Sequence, residues 1–463
     1  SGGVIFCETA VGEATTDNNR TVTTFPTTTP SSRTMGRVDR QQSYLDRQRE
    51  EEIQNLESQL RALNPPLRLL FAHRRDKKNI GDWACTPKWY FDLFKQPSIQ
   101  MDHQDLGYCP GQRRILKVAH TYDGIVIGGG GLLQCSHFWD GTLSLLAHHP
   151  GAVLWAVGLN RVLVQSQSQD PDQPLVPAYV SNYPLYGIRD QLFLKASPHD
   201  YHRQLDDVTC LSPIFDSYLE EEEKKKGEVL TGESDNEMTT PPALPPLKIG
   251  IYAHKSHPIP SELLCHYEST MPGNDNKEAR QEACQTVGCL WKNDDCWFET
   301  RTISNSGISL KDALAFLASS DVVITSSYHG LWWATLLSKP VLLHPDTWVF
   351  TKEQFFPYPP GRFTGDLARD LTVQPLNRYP HALEACRRAN RQFYLEALRL
   401  WKQGRETRVL PPAPSIFEAY YNVSDPNQDC VMGKRTSCAA SGQHYDFSSS
   451  HFSKVPYIAR DIE

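Results

Sequence analysis

Several features that would have classified this chain quickly are missing from it. No run of eighteen apolar residues occurs, so the sequence offers no membrane-spanning helix. The cysteines form no C-x2-C pairs and no H-x3-H accompanies them, which removes the common zinc modules. The one glycine cluster is not G-x-G-x-x-G and no acidic residue follows at the dinucleotide spacing, so nicotinamide binding is not expected. An excess of positive charge is also absent: 47 Lys and Arg stand against 54 Asp and Glu, a net charge of −7. That balance argues against nucleic acid as a partner. It leaves room for a small anion in a locally basic pocket.

What is present points to a long, partly extended chain. At 463 residues there is room for two or three domains, but a hydrophobic fraction of 39% implies tails or linkers between them. Four of the twelve cysteines, Cys265, Cys284, Cys289 and Cys296, crowd into one segment. Two N-x-S/T sequons, at Asn19 and Asn422, lie in polar stretches. Sequons beside clustered cysteines suggest the secretory pathway, with the protein secreted or anchored in the Golgi lumen. The first residue is Ser rather than Met, so a signal or anchor upstream is expected, and that anchor would be its sole link to a membrane.

Residues 1–66 read as a Thr/Ser-rich disordered stalk followed by a charged helix, with Ile53, Leu56, Leu60 and Leu63 at helical spacing. That helix is either a stem or a surface helix docked on the next domain. From 67 to 215 apolar runs such as "RLLFAH", "DGIVI" and "AVLWAV" alternate with helical patterns, the mark of a parallel α/β sheet. Residues 216–246 are charged and then Pro-rich, a solvated linker. A second α/β pattern spans 247–410, and 411–463 form a tail. The fold class is therefore α/β, with two Rossmann-like domains facing a cleft. Within the second, 258–302 hold the cysteine cluster. Its ending "CQTVGCLWKNDDCWF" resembles part of a trefoil module, with four cysteines instead of six. A small disulfide-rich insertion is expected, its pairing open among three connectivities, with a zinc site as the alternative.

Chemistry-bearing residues gather where strands end, which is where open α/β sheets hold ligands. Asn79-Ile-Gly81-Asp82 follows the first strand: Gly81 permits an unusual backbone, and Asp82 is either a base or the cap of the next helix. Gly128 to Gly131 follow "DGIVI", and Gly129, Gly130 and Gly131 would let backbone N–H groups approach an anion or sugar at a helix start. "YGIRD" places Arg189 and its planar fork at a strand end, with Asp190 as a possible partner. "DVVITSSYHGLWWATLLSKPVLL" carries Ser326, Ser327, Tyr328, His329 and Gly330 between a strand and a helix, and Lys339 after it. His329 is suited to donate to a phosphate or to act as an acid. Trp332, Trp333 and Leu336 read as helix packing.

Taken in order, "NIGDW", "DGIVIGGGGLL", "YGIRD" and "DVVITSSYHGLWWATLLSKPVL" make the sequence similar to the polysaccharide pyruvyl transferase family over roughly residues 67–350. The resemblance implies a GT-B-like arrangement of the two domains. It also implies transfer of a pyruvyl unit from phosphoenolpyruvate to a hydroxyl pair of a sugar or glycan, forming a pyruvate ketal. Arg189 and His329 would then contact phosphoenolpyruvate. Relatives commonly carry an arginine at the position of Ser327, a cation that Lys339, His254 or Lys255 would have to replace. The reaction needs an acid, for which His329 is the candidate, and a base, for which Asp82 is. It requires no metal and no cofactor beyond the donor substrate. Two other readings share the fold: a sugar-nucleotide glycosyltransferase, and a carbohydrate-binding protein without turnover.

Overall fold

The computed structural model describes residues 32–75, 79–133, 139–159, 177–190, 203–231, 247–259, 289–292, 295–344, 356–365, 367, 370–371 and 376–407. The expected stalk at 1–31, both sequons, Cys265, Cys284 and the tail lie outside them, and for Cys289 and Cys296 the backbone alone is described. Among the described residues no helix is long and apolar enough to cross a membrane.

The chain divides into two compact units, Ser1–Gln48 and Arg49–Glu463. The described part of the first is helical, within α1 (Ser32–Arg61). Both sheets belong to the second unit. One is fully parallel, built from β1 (Arg68–His73), β2 (Gln100–Asp105), β3 (Gly124–Leu133), β4 (Ala152–Leu159), β5 (Leu185–Ile188) and β6 (Arg203–Gln204), in the order β2-β1-β3-β4-β5-β6. The other holds β7 (Leu247–Ala253), β8 (Cys289–Lys292), β9 (Asp295–Ser304), β10 (Val322–Thr325), β11 (Val341–Leu343) and β12 (Gly361–Arg362), in the order β12-β11-β10-β7-β9-β8. It is parallel except for the β8–β9 hairpin. Continuous apolar runs form these strands because helices cover both faces: β3 and β10 are buried at every position.

The first strand of each sheet sits inside it, so each order reverses beside β1 and beside β7. At such a reversal the following loops diverge to opposite faces and leave a crevice at the carboxyl edge. Sequence thus fixes two crevices, one after β1 and β3, the other after β7 and β10.

The structure decides between the two readings of the first helix, and two boundaries differ from those read in the sequence. Residues Ile53, Leu56 and Leu60 are buried in one cluster with Leu67, Leu69 and Phe71, so the end of α1 belongs to the first sheet's core instead of a free stem. Each such side chain contributes about 1.5–3 kcal/mol on burial. The charged "linker" begins as a helix, α5 (Ile214–Thr231), following α2 (Ile80–Ala84), α3 (Cys109–Val118) and α4 (Asp140–Leu146) in chain order. Its Glu-to-Lys run favours helix as well as solvent. The end of the cysteine-rich insertion is not peripheral either, because β9 pairs with β7 from Leu247↔Phe298 to Ala253↔Ser304.

After α6 (Leu310–Ala318) and α7 (Tyr328–Leu336), the last described helix, α8 (Ala382–Glu406), joins the halves. Its Ala382, Leu383 and Cys386 pack with Trp333 and Leu336 of α7. Farther on, Phe393, Tyr394, Leu398 and Trp401 join the core under β1, where Phe91 stacks on Tyr394 at 3.7 Å. The second sequence domain therefore ends on the first.

Candidate functional site

The crevice after β1 is shaped by α2. Asn79 precedes it in extended conformation, and its Nδ2 donates to Asp82 Oδ2 at 3.0 Å. Arg74 Nη1 pairs with the same oxygen at 3.0 Å. Asp82 thus lies inside α2 and is not its cap. From the second sheet, Asn305 Nδ2 donates to Asn79 Oδ1 at 3.3 Å, and Asn305 O accepts from Ile80 N at 3.3 Å. These bonds tie α2 to the loop after β9.

Bare backbone brings the two crevices together. A Cβ on Gly81 would lie 2.0 Å from His329 Nδ1, so only glycine admits the imidazole there. The four glycines differ from expectation: they are buried within β3 and open no helix. A Cβ on Gly129 would fall 2.6 Å from Cys85 Cβ, which means α2 is pressed against the strand. Gly130 has φ +89°, a left-handed value, and its Cβ position lies 3.3 Å from Asp82 Oδ1. Gly131 shares the buried strand and pairs with Gly158.

His329, in the first turn of α7, reaches across to the first half. Its Nε2 lies 3.3 Å from Asp207 Oδ2 and 3.1 Å from Cys85 Sγ. The Cys85 thiol donates to Asp207 Oδ2 at 2.7 Å. Asp207 caps the turn Val208–Leu211, with Oδ1 accepting from Thr209 N at 2.9 Å. Trp333 Nε1 donates to Thr209 Oγ1 at 2.9 Å, and the Cys210–Cys386 disulfide fastens the same turn to α8. All three side chains of the cluster are buried.

Burial pushes the Asp207 carboxyl up, but the hydrogen bond and charge of His329, the Cys85 thiol and Arg189 outweigh it and hold the group below its ordinary value. Burial, and then the Asp207 charge, push the Cys85 thiol well above its ordinary value, so it is protonated at neutral pH. The cluster is therefore an imidazole held by a carboxylate, not a thiolate nucleophile. Its S, O and N donors lie within 4.8 Å of one another and are the ones among the described residues that could hold a metal ion.

Arg189 completes the site. It is 2% exposed, and its guanidinium lies 4.1 Å above the Tyr328 ring. Burial works against its charge, yet Tyr328, Cys85, Asp190 and Asp207 together keep it above its ordinary value. Arg189 Nε and Nη1 find no hydrogen-bond partner among the described residues, nor do Ser327 Oγ and Thr86 Oγ1, both buried. Unpaired buried donors are costly, at about 1–3 kcal/mol each.

Asn79, Gly81, Asp82, Gly129, Gly130, Arg189, Ser327, Tyr328 and His329 are thus brought together. Others are not. The Ser326 hydroxyl donates to His257 O at 2.5 Å and accepts from His254 N at 2.9 Å, so it braces a loop. Gly330 lies inside α7, and its Cβ would meet Thr325 Oγ1 at 2.4 Å and Tyr252 Cδ1 at 2.5 Å, so it serves packing rather than a turn. Lys339 lies beyond the opposite end of α7, whose axis runs about 10 Å from His329 to Leu336 at 1.5 Å rise per residue. His254 is near enough to couple to Asp82 and His329, but burial and His257 hold it down at about 4, so it brings no charge at neutral pH. Asp207 and Cys85 carried no motif in the sequence; only the i, i+3 spacing of Asp82 and Cys85 on one helical turn hinted at the latter.

A model of polysaccharide pyruvyl transferases matches residues 54–343 of the chain. No curated protein matches it. Among solved structures, the UDP-GlcNAc 2-epimerase of Neisseria meningitidis aligns at 12% identity over 74% of this chain and 99% of its own, with a TM-score of 0.35. The ADP-heptose heptosyltransferase II of E. coli aligns at 14% identity over 73% and 100%, with a TM-score of 0.28.

Proposed function

Because the chain belongs to the polysaccharide pyruvyl transferase family, we propose that it transfers a pyruvyl group from phosphoenolpyruvate to two hydroxyls of a glycan sugar, forming a ketal. The observation that carries this reading is the buried Arg189 guanidinium, stacked on Tyr328 with Nε and Nη1 unpaired, beside the His329–Asp207 pair. A cation so desolvated calls for an anionic group with a planar face, and phosphoenolpyruvate offers a carboxylate as well as a phosphate. Ser327 Oγ and Thr86 Oγ1 add neutral donors where relatives of the chain carry arginine at position 327.

In this scheme Asp207 holds the Nε2 edge of His329 and leaves Nδ1, lying against Gly81, to protonate the donor's methylene carbon. A sugar hydroxyl then attacks the adjacent carbon and gives up its proton to Asp82. Arg74 and Asn79 hold that carboxylate in place. Phosphate leaves, stabilised by Arg189, and the second hydroxyl closes the ketal, its proton restoring that of His329 while the departing phosphate takes the one held by Asp82. The intact Cys210–Cys386 bond supports an oxidising, secretory setting for this work.

The test is incubation with phosphoenolpyruvate and galactose-terminated glycans, following phosphate release and product mass. A glycan gain equal to one ketal is expected. Inert phosphoenolpyruvate combined with cleavage of a nucleotide sugar would replace this reading with the glycosyltransferase one.

A further inference from the structure

Beyond the pyruvyl site, α2 carries a second feature on the first half. Trp83, partly buried, stacks on Trp89 at 5.0 Å with 25° between the rings. Trp89 is 38% exposed, so part of the pair faces solvent. Lys88 Nζ sits 5.2 Å over the Trp89 ring, and His103 meets that ring edge-on at 6.3 Å. His103 in turn stacks on His73, the last residue of β1, with Nε2 and Nδ1 2.5 Å apart. Arg75 follows that strand and is exposed.

Among the described residues Lys88 and Arg75 are the cations of this patch, and Asp105 is the carboxylate beside Arg75. Burial and then Arg75 lower Lys88. Burial, Lys88 and Arg75 bring His103 down to about 3. Among the described residues neither Lys88 nor the Arg75 guanidinium has a carboxylate partner. Arg74 is already spent on Asp82, and Asp105 Oδ1 accepts from the backbone N–H groups of Arg75 and Gly107. Two cations without a side-chain carboxylate partner among the described residues, next to an indole that is 38% exposed, form a surface that an anion improves more than a neutral ligand does.

We propose that the acceptor of this protein is an acidic saccharide, one of whose rings lies against the exposed part of Trp89 while its carboxylate or sulfate sits by Lys88 and Arg75. This rests on the pyruvyl-transfer reading only for the word acceptor. The patch is joined to the donor pocket through α2, whose Gly81 touches His329 and whose Trp83 begins the aromatic stack.

Binding of three probes to the full chain, measured by calorimetry, tests the assignment: a neutral galacto-oligosaccharide, the same oligosaccharide carrying a sulfate ester, and an oligogalacturonate. Both acidic probes are expected to bind at least about 10-fold more tightly than the neutral one, with the advantage shrinking as salt rises. Lys88→Gln and Arg75→Gln should remove the advantage, and Trp89→Ala should weaken all three probes. Equal binding of the three, an advantage that survives the Lys88→Gln/Arg75→Gln double variant, or competition by inorganic sulfate as strong as by the sulfated sugar would overturn it. Acidic-sugar binding without phosphoenolpyruvate turnover would remove the pyruvyl reading and leave this one standing. Turnover on neutral glycans alone would do the reverse.

Discussion

His329 Nε2 lies 3.3 Å from Asp207 Oδ2, a buried pair between the helix after β10 and the turn after β6. The proposed acid is therefore assembled only where the two halves meet. Replacing Asp207 by Asn keeps the shape and removes the charge that orients the imidazole. Turnover with phosphoenolpyruvate should fall about 10²–10³-fold, the range seen when one preorganised electrostatic partner is lost. Steady-state kinetics beside an unchanged circular dichroism spectrum would check it; wild-type rates would sink the pairing as a functional one.

Gly81→Ala is the sharper steric test. The added methyl would sit 2.0 Å from His329 Nδ1, so the ring must move. A displacement of about 1 Å is enough for a loss of about 100-fold. The same change at Gly404, where a Cβ meets nothing within 4 Å, should leave turnover unaltered and serves as control.

Arg189→Lys preserves charge but not the planar fork over Tyr328. An apparent KM for phosphoenolpyruvate raised about 10-fold or more is expected, against about 1.4 kcal/mol of lost binding per decade. Isotherms for phosphoenolpyruvate that do not change would remove Arg189 from the donor site.

Cys85 should resist alkylation. It is buried, and Asp207 beside it keeps the thiol protonated well above neutral pH. Iodoacetamide at pH 7.5 should leave Cys85 unmodified in the native chain and label it after denaturation, as peptide mass spectrometry would show. Rapid native labelling with loss of turnover would instead indicate a thiolate nucleophile.

Stability should fall on the acid side partly through His149. Its Nδ1 accepts from Gly151 N and its Nε2 donates to Tyr122 O, each at 3.1 Å, which fixes a neutral tautomer. Burial outweighs the backbone acceptors and holds it at about 4. Folded His149 thus binds its proton later than the unfolded chain does. Its contribution is complete above pH about 6.5 and is lost towards 4, at about 1.4 kcal/mol per pH unit. His149→Gln should flatten the decline in urea midpoint between pH 6.5 and 4.5; an identical decline would refute the assignment.

Much of the layout was written in local sequence. Buried parallel strands read as unbroken apolar runs, and loops following strands carry the polar residues, so "NIGDW", "YGIRD" and "SSYHG" could be picked out as strand-end segments, and the structure brings them together. The glycine run misled in position because a buried strand tolerates glycine when a neighbouring helix must press against it, as α2 does through Cys85. Lys339 misled because it lies beyond the far end of the helix whose first turn holds His329.

Sequence by itself determined the two α/β patterns, the strand-end placement of Asp82, Arg189 and His329, and the family. Tertiary structure alone decided that Asp207 and Cys85 flank His329, that Cys210 bonds Cys386, and that α8 closes the first core from the end of the second. The reason is range. Periodicity and turn chemistry act over a few residues and leave a visible pattern, whereas an aspartate or cysteine that meets its partner across two sheets is selected by a single distant contact and leaves none.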